Sequence, residues 1–159
     1  MIKLHEFNLE AFWEECDAIF EQFKREKMPS ECYGWRSWKI EKAFERYSKS
    51  NLGWVDGVGY DFVDKDNIKY EFKQVKDAFK KNETPSVILK NFRKDTLDQY
   101  NQTFEYILII DVERRTIGVY DWKYVSEVYT INAATVTAIL DHYRAKEIHT
   151  PYAPLYEVA

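Results

Sequence analysis

The stretch Gly59 to Gln74, GYDFVDKDNIKYEFKQ, constrains the fold of this chain more than any other. Two runs rich in aromatic and β-branched residues flank a polar connection, which is the pattern of a β-hairpin. With Lys65, Asp66 and Asn67 as the loop, Asp64 pairs with Ile68 and the register sets Asp61 opposite Glu71. Asn67 suits the left-handed position on which such a loop ends. Residues two apart in a strand share a face, so Glu71 and Lys73 point one way while Tyr70 and Phe72 point the other way, into a core. Cross-strand partners lie only about 5 Å apart. The hairpin is therefore expected to present two carboxylates and one ammonium at one spot.

That grouping suits phosphodiester hydrolysis. Carboxylate oxygens of Asp61 and Glu71 are hard ligands for Mg²⁺, which takes few protein ligands and keeps water and substrate phosphate as the rest. The main-chain carbonyl of Phe72, between the two side chains of Glu71 and Lys73, is a further candidate ligand. Lys73 is placed to hold or activate a water, or to stabilise transition-state charge. The competing reading is an ordinary half-exposed strand, because 31% of the chain is charged and acids alternating with lysines are common on such strands.

Around the hairpin the periodicity changes. Leu9, Phe12, Trp13, Cys16, Ile19, Phe20 and Phe23 recur at three- and four-residue steps and predict a helix over 9–26, with Asn8 as N-cap and Pro29–Ser30 as its end. A second helix is expected from about 35 to 49, lined by Trp35, Trp38, Ala43, Phe44 and Tyr47, with Ile40 widening the stripe. SNLGWVDGVG, which holds three of the five glycines, breaks it. Residues 76–86 read as a solvated loop or short helix. A helix is expected over 86–103. YILII (106–110) has the character of a buried central strand, and TIGVYDW that of its neighbour after a polar turn. Helices are expected near 122–129 and 133–146, and an extended tail after Thr150. These elements describe one domain over 1–159, of the α/β (α+β-like) class, with a mixed central sheet flanked by helices. Its N-terminal part (1–50) and C-terminal part (129–159) are expected to be helical.

The formal net charge of −4 argues against non-specific coating of nucleic acid, but the charge is segregated. Residues 69–94 carry eight Lys/Arg against three acids, whereas residues 1–30 carry four against seven. Lys76, Lys80, Lys81, Lys90, Arg93 and Lys94 are candidates for a phosphate-contacting strip, or else form a solvated face. Asn82 and Thr84 are candidates to reach base edges. Cys16 and Cys32 form no metal motif or disulfide framework. His5, His142 and His149 lack metal-ligand spacing and read as surface or packing residues. The N-terminus is too acidic for a signal peptide and no segment approaches a transmembrane length, so a cytoplasmic protein with no membrane association is expected.

With the hairpin in place, the string Asp61…Glu71-Phe72-Lys73 resembles the PD-(D/E)xK nuclease superfamily, whose restriction-endonuclease-like core is a helix, a hairpin carrying D…ExK, a crossover helix, then further strand and helix. The resemblance covers roughly residues 36–128. Gly59-Tyr60-Asp61 and the polar Gln74 after the ExK look most like small type II restriction enzymes and junction-cutting nucleases. Tyr60 stands where the motif has Pro, Asp64 and Asp66 are alternative first acids, and Gln102 to Tyr106 has the spacing of a motif of exonuclease relatives. The resemblance implies an Mg²⁺-dependent DNA endonuclease, with Mn²⁺ as a substitute, and a helix-borne acid, Glu41 or Glu45, completing the site. The expected partner is double-stranded DNA, cut by a homodimer whose two-fold axis matches a symmetric site. A junction- or end-processing nuclease, and a non-catalytic binding domain that keeps the fold, are the alternatives.

Overall fold

The computed structural model describes residues 1–29, 38–56, 59–74, 86–93, 103–132 and 135–151. Their architecture is mixed α and β: a six-stranded mixed sheet, a second three-stranded sheet and three α-helices among the described residues.

Helix α1 runs from Leu9 to Arg25, and the Asn8 side chain caps it by accepting the Ala11 N–H at 3.3 Å. Its buried stripe is Leu9, Phe12, Trp13, Cys16 and Phe23, as the spacing predicts. Helix α2 spans Trp38–Tyr47 and buries Ile40, Ala43 and Phe44. Trp38, expected on the buried stripe, is instead 49% exposed. Ile40, Ala43, Phe44 and the half-buried Tyr47 fall at helical spacing on one face, and Trp38 falls outside it. Trp35 lies outside the described residues.

The large sheet has the order β1-β2-β3-β5-β6-β9, formed by Leu52–Trp54, Phe62–Asp64, Lys69–Gln74, Tyr106–Asp111, Thr116–Asp121 and Glu147–His149. Its β3–β5 pair is parallel and the other pairs are antiparallel. The hairpin pairs as expected from the turn to Phe62: Phe62 pairs with Tyr70, Val63 with Lys69, and the Asp64 N–H donates to the Ile68 carbonyl at 2.9 Å. The expected Asp61–Glu71 pair is not formed, because the Asp61 N–H donates instead to the Tyr70 carbonyl. Asn67 takes the left-handed conformation at φ 63°. Central β5 is buried on both faces. Leu108 and Ile110 join Tyr70, Phe72 and Phe62 in a cluster with α1 and α2. Ile107 and Ile109 join Tyr120 and Trp122 in a second cluster on the opposite face. Each such buried aliphatic side chain contributes roughly 1.5–3 kcal/mol. Phe44 is the hub of the first cluster, its ring 5.0 Å from Phe7, 5.2 Å from Phe12, 5.8 Å from Phe62 and 5.7 Å from Phe72.

The second sheet corrects the sequence reading. Ser86–Arg93, expected as the start of a helix over 86–103, is strand β4, and the remainder of that helix lies outside the described residues. Thr135–Asp141, expected within a helix over 133–146, is strand β8, followed by a single 3-10 turn at His142–Arg144. The described residues from 129 to 151 are therefore strand-rich rather than helical, since β7 (Tyr129–Asn132) and β9 also lie there. The order is β4-β8-β7, all antiparallel. β-Branched Thr135, Val136, Thr137 and Ile139 lose side-chain freedom in a helix and pack well on a pleated sheet. Pairing with them overrides the helix-compatible Leu89, Lys90 and Arg93 of β4. Helix α3 is Trp122–Val128, as expected, and its Trp122 and Val125 share the second cluster with Ala138 and Leu140 of β8. No helix among the described residues is long and apolar enough to cross a membrane.

Candidate active site

The lead-in to β2 is fixed by close packing. Gly59 has φ +111°, and a Cβ there would lie 2.9 Å from Thr103 Cγ2. The Thr103 hydroxyl donates to the Gly59 carbonyl at 2.6 Å, so the strand approaches Thr103 closely only because residue 59 lacks a side chain. Tyr60 packs against the second cluster with the Lys69 ammonium 5.1 Å from its ring centroid.

Asp61 follows, at the point where the β2–β3 ladder ends. Its N–H donates to the Tyr70 carbonyl at 2.9 Å, and its own carbonyl accepts the Val55 N–H at 2.9 Å. Its carboxylate Oδ2 accepts the Phe72 N–H at 2.8 Å. A strand residue directs its N–H and C=O to the same edge, so the Phe72 carbonyl is also aimed toward Asp61, beyond the last β2 pair. Phe72 itself is buried among the aromatic rings around Phe44, which fixes the strand beneath the site.

Glu71 is half-buried on the face of β3 opposite Phe72, and Lys73 shares its face. The carboxyl of Glu71 is pushed up to about 10 from its ordinary 4.5. Burial is the largest cause, followed by the charge of Asp61 and a hydrogen bond with it; Lys73 opposes the shift and Glu41 adds to it. The charges of Asp61, Lys73 and Glu41 thus all act on Glu71. Two carboxyl groups this close share a proton unless a cation replaces it.

Asp64 and Asp66 have other places. The Asp64 side chain is 5% exposed. Its Oδ1 accepts the N–H groups of Asp66 (2.9 Å) and Ile68 (3.0 Å), and its Oδ2 accepts the Tyr70 hydroxyl at 2.7 Å. It organises the hairpin turn. Asp66 is exposed in that turn.

The two helix acids separate as well. Glu41 Oε1 accepts the indole N–H of Trp54 at 3.1 Å. The Glu45 carboxylate accepts the Trp54 backbone N–H and lies 3.6 Å from the Lys42 ammonium. Glu41 acts on Glu71, while Glu45 fastens β1 to α2. Trp54 has no signal of its own in the sequence, because LGWV reads as part of a glycine-rich break.

Lys90 and Arg93 lie on β4 rather than on a helix. Lys76, Lys80, Lys81, Asn82, Thr84 and Lys94 lie outside the described residues, as do Gln102 and Cys32. His149 is a packing residue: it stacks on Trp13 with ring centroids 6.4 Å apart, and burial holds its pKa below the ordinary value. Among the described residues no three His, Cys, Asp or Glu side chains converge as a ready-made cation cage. Mg²⁺ does not require one, since it retains several waters. Two carboxyl groups, that of Glu71 with a raised proton affinity, beside a main-chain carbonyl are a hard-oxygen donor set that fits it. No protein-family model and no curated protein matches this chain.

Proposed function

We propose that this chain is an Mg²⁺-dependent endonuclease that hydrolyses DNA phosphodiester bonds, with the restriction-endonuclease-like fold and the chemistry of the PD-(D/E)xK superfamily. The observation that carries the reading is the hydrogen bond from the Phe72 N–H to Asp61, which sets the first acid at the end of β2 against Glu71-Phe72-Lys73. The helix–hairpin–parallel-strand order of α2, β2–β3 and β5 supports it. The strand β4 within the crossover is a departure from the helix that the resemblance implies.

Asp61, Glu71 and the Phe72 carbonyl would hold the ion. When bound, the ion neutralises charge at the scissile phosphate. The chain's own residues do the rest. Asp61 and Glu71 supply the negative potential that draws the cation, and Glu71 gives up its proton when the cation arrives. Lys73 donates hydrogen bonds to the attacking water or to the pentavalent phosphoryl oxygens, where charge develops. Double-stranded DNA is the proposed substrate, Mn²⁺ a proposed substitute ion, and a homodimer the proposed assembly for cutting both strands of a symmetric site.

Incubation of the purified chain with supercoiled plasmid and Mg²⁺ tests the reading. Discrete linear fragments are expected from a type II restriction activity. Cleavage confined to branched or end-bearing DNA would redirect it to the junction-processing class. Full cleavage in EDTA, or none on any DNA with Mg²⁺ or Mn²⁺, would remove the metal-nuclease assignment.

A further inference from the structure

Lys69, Glu71 and Lys73 alternate along β3 with the buried Tyr70 and Phe72, so the three share one face. That face carries the second cluster, because Glu71 pairs with Ile107 and Lys73 with Ile109 of β5. Tyr60 lies on it too. It packs against the same cluster, and its half-buried ring has the Lys69 ammonium 5.1 Å from the centroid. The preceding residue fixes its place, since the Gly59 carbonyl accepts the Thr103 hydroxyl at 2.6 Å and Gly59 has no room for a Cβ. The Glu105 carboxylate accepts the backbone N–H of Lys69 at 2.8 Å, but among the described residues no carboxylate pairs with the Lys69 ammonium.

We propose that Lys69, held by the Tyr60 ring, is a phosphate-contacting residue: it takes the backbone phosphate next to the one at Glu71 and Lys73, and so sets the DNA strand along β3. This rests on the nuclease reading given above. Two residues along a strand span about 7 Å, comparable with one nucleotide step of a nucleic-acid backbone. The row Lys69–Glu71–Lys73 therefore sets a cation one such step from the acid on either side. A lysine with free rotamers gives up much side-chain entropy when a ligand orders it. The Tyr60 ring removes part of that loss before the strand arrives. A carboxylate partner would hold the ammonium as well but would cancel its charge. An aromatic face attracts the cation and carries no net charge, so the ammonium keeps its full charge for a phosphate. Covering the second cluster uses only the Tyr60 ring and the methylene stem of Lys69, and has no use for that charge.

Affinity for a short fluorescent DNA duplex tests it, measured by anisotropy at several salt concentrations with Ca²⁺ in place of Mg²⁺ so that the strand stays whole. In Lys69→Gln the slope of log affinity against log salt is expected to be shallower by about 0.9, the value for one phosphate contact. Lys69→Arg is expected to restore it. Tyr60→Leu keeps an apolar cover and removes the π face. It is expected to weaken binding about two- to fivefold with the slope unchanged, and to cause no further loss in a Lys69→Gln background. An unchanged slope in Lys69→Gln, a Lys69→Arg protein no better than Lys69→Gln, or an equal loss from Tyr60→Leu in both backgrounds would overturn the proposal. The unsubstituted protein separates the two levels. If it binds and cuts duplex DNA while Lys69→Gln keeps its slope, only the role of Lys69 falls; if it has no affinity for DNA, the nuclease reading falls and this proposal with it.

Discussion

The carboxylate of Asp61 accepts the backbone N–H of Phe72 at 2.8 Å, across the open end of the hairpin. One side chain therefore has two duties. It closes the sheet where the ladder stops, and it stands beside Glu71 as the first acid of the proposed centre. The substitutions that test the chemistry must respect both.

Asp61→Asn keeps an oxygen for the Phe72 N–H and removes the charge, whereas Asp61→Ala leaves that N–H unpaired at a cost of about 1–3 kcal/mol. Asp61→Asn is expected to stop plasmid cleavage with an almost unchanged melting temperature. Lys73→Ala is expected to lower the single-turnover rate by about 10²–10⁴ with DNA affinity nearly intact, because its loss acts on the transition state. Gel-shift titration alongside cleavage kinetics checks both. Wild-type cutting by Lys73→Ala would reduce the hairpin to an ordinary charged strand pair.

Glu71, with its carboxyl pushed up to about 10, links cation binding to pH. Between its ordinary 4.5 and about 10 the folded chain holds a proton that the unfolded chain has released. More protons are bound in the folded state, so without metal stability falls as pH rises through this window. Glu71→Gln should flatten that slope, which thermal melts from pH 5 to pH 9 would show. Mg²⁺ must displace the proton, so its affinity should rise with pH and about one proton should be released per ion near neutrality. Calorimetry in two buffers of different ionisation enthalpy measures that number, and zero release would contradict the shared-proton arrangement.

Asp64 is the counter-case to Asp61. Its carboxylate satisfies two backbone N–H groups and the Tyr70 hydroxyl. Asp64→Ala is expected to destabilise the fold by roughly 2–4 kcal/mol, given about 1–3 kcal/mol for each buried group left unsatisfied. The protein that remains folded should keep its catalytic rate. Denaturant titration combined with cleavage per folded molecule distinguishes this from a metal ligand, whose loss would show the reverse pattern.

Cys16 is fully buried in the first cluster, and burial pushes its thiol up to about 12. In a Cys32→Ser background no thiol should react with a disulfide reagent at pH 8 until the chain unfolds. Labelling of native protein at the rate of a free cysteine would contradict the packing of α1.

What the sequence determined by itself was written within short windows. The spacing of α1 and its Asn8 cap, the buried run YILII, and the hairpin with its Asn67 turn each depend on periodicity or turn chemistry inside roughly fifteen residues. So does the sharing of one β3 face by Glu71 and Lys73. Tertiary structure decided the rest. SVILKNFR carries four apolar residues that fit a helix or a strand, and only pairing with TVTAILD, more than forty residues away, selects the strand. Telling Asp61 from Asp64, and Glu41 from Glu45, required their hydrogen-bond partners, which lie near in the chain but which spacing alone does not name. A carboxylate becomes a turn clamp, a strand fastener or a member of an acidic centre according to which N–H groups and charges the fold brings to it. Local spacing does not name those neighbours, because they are set when the turn closes on Asp64 and when α2 and β1 pack together at Trp54.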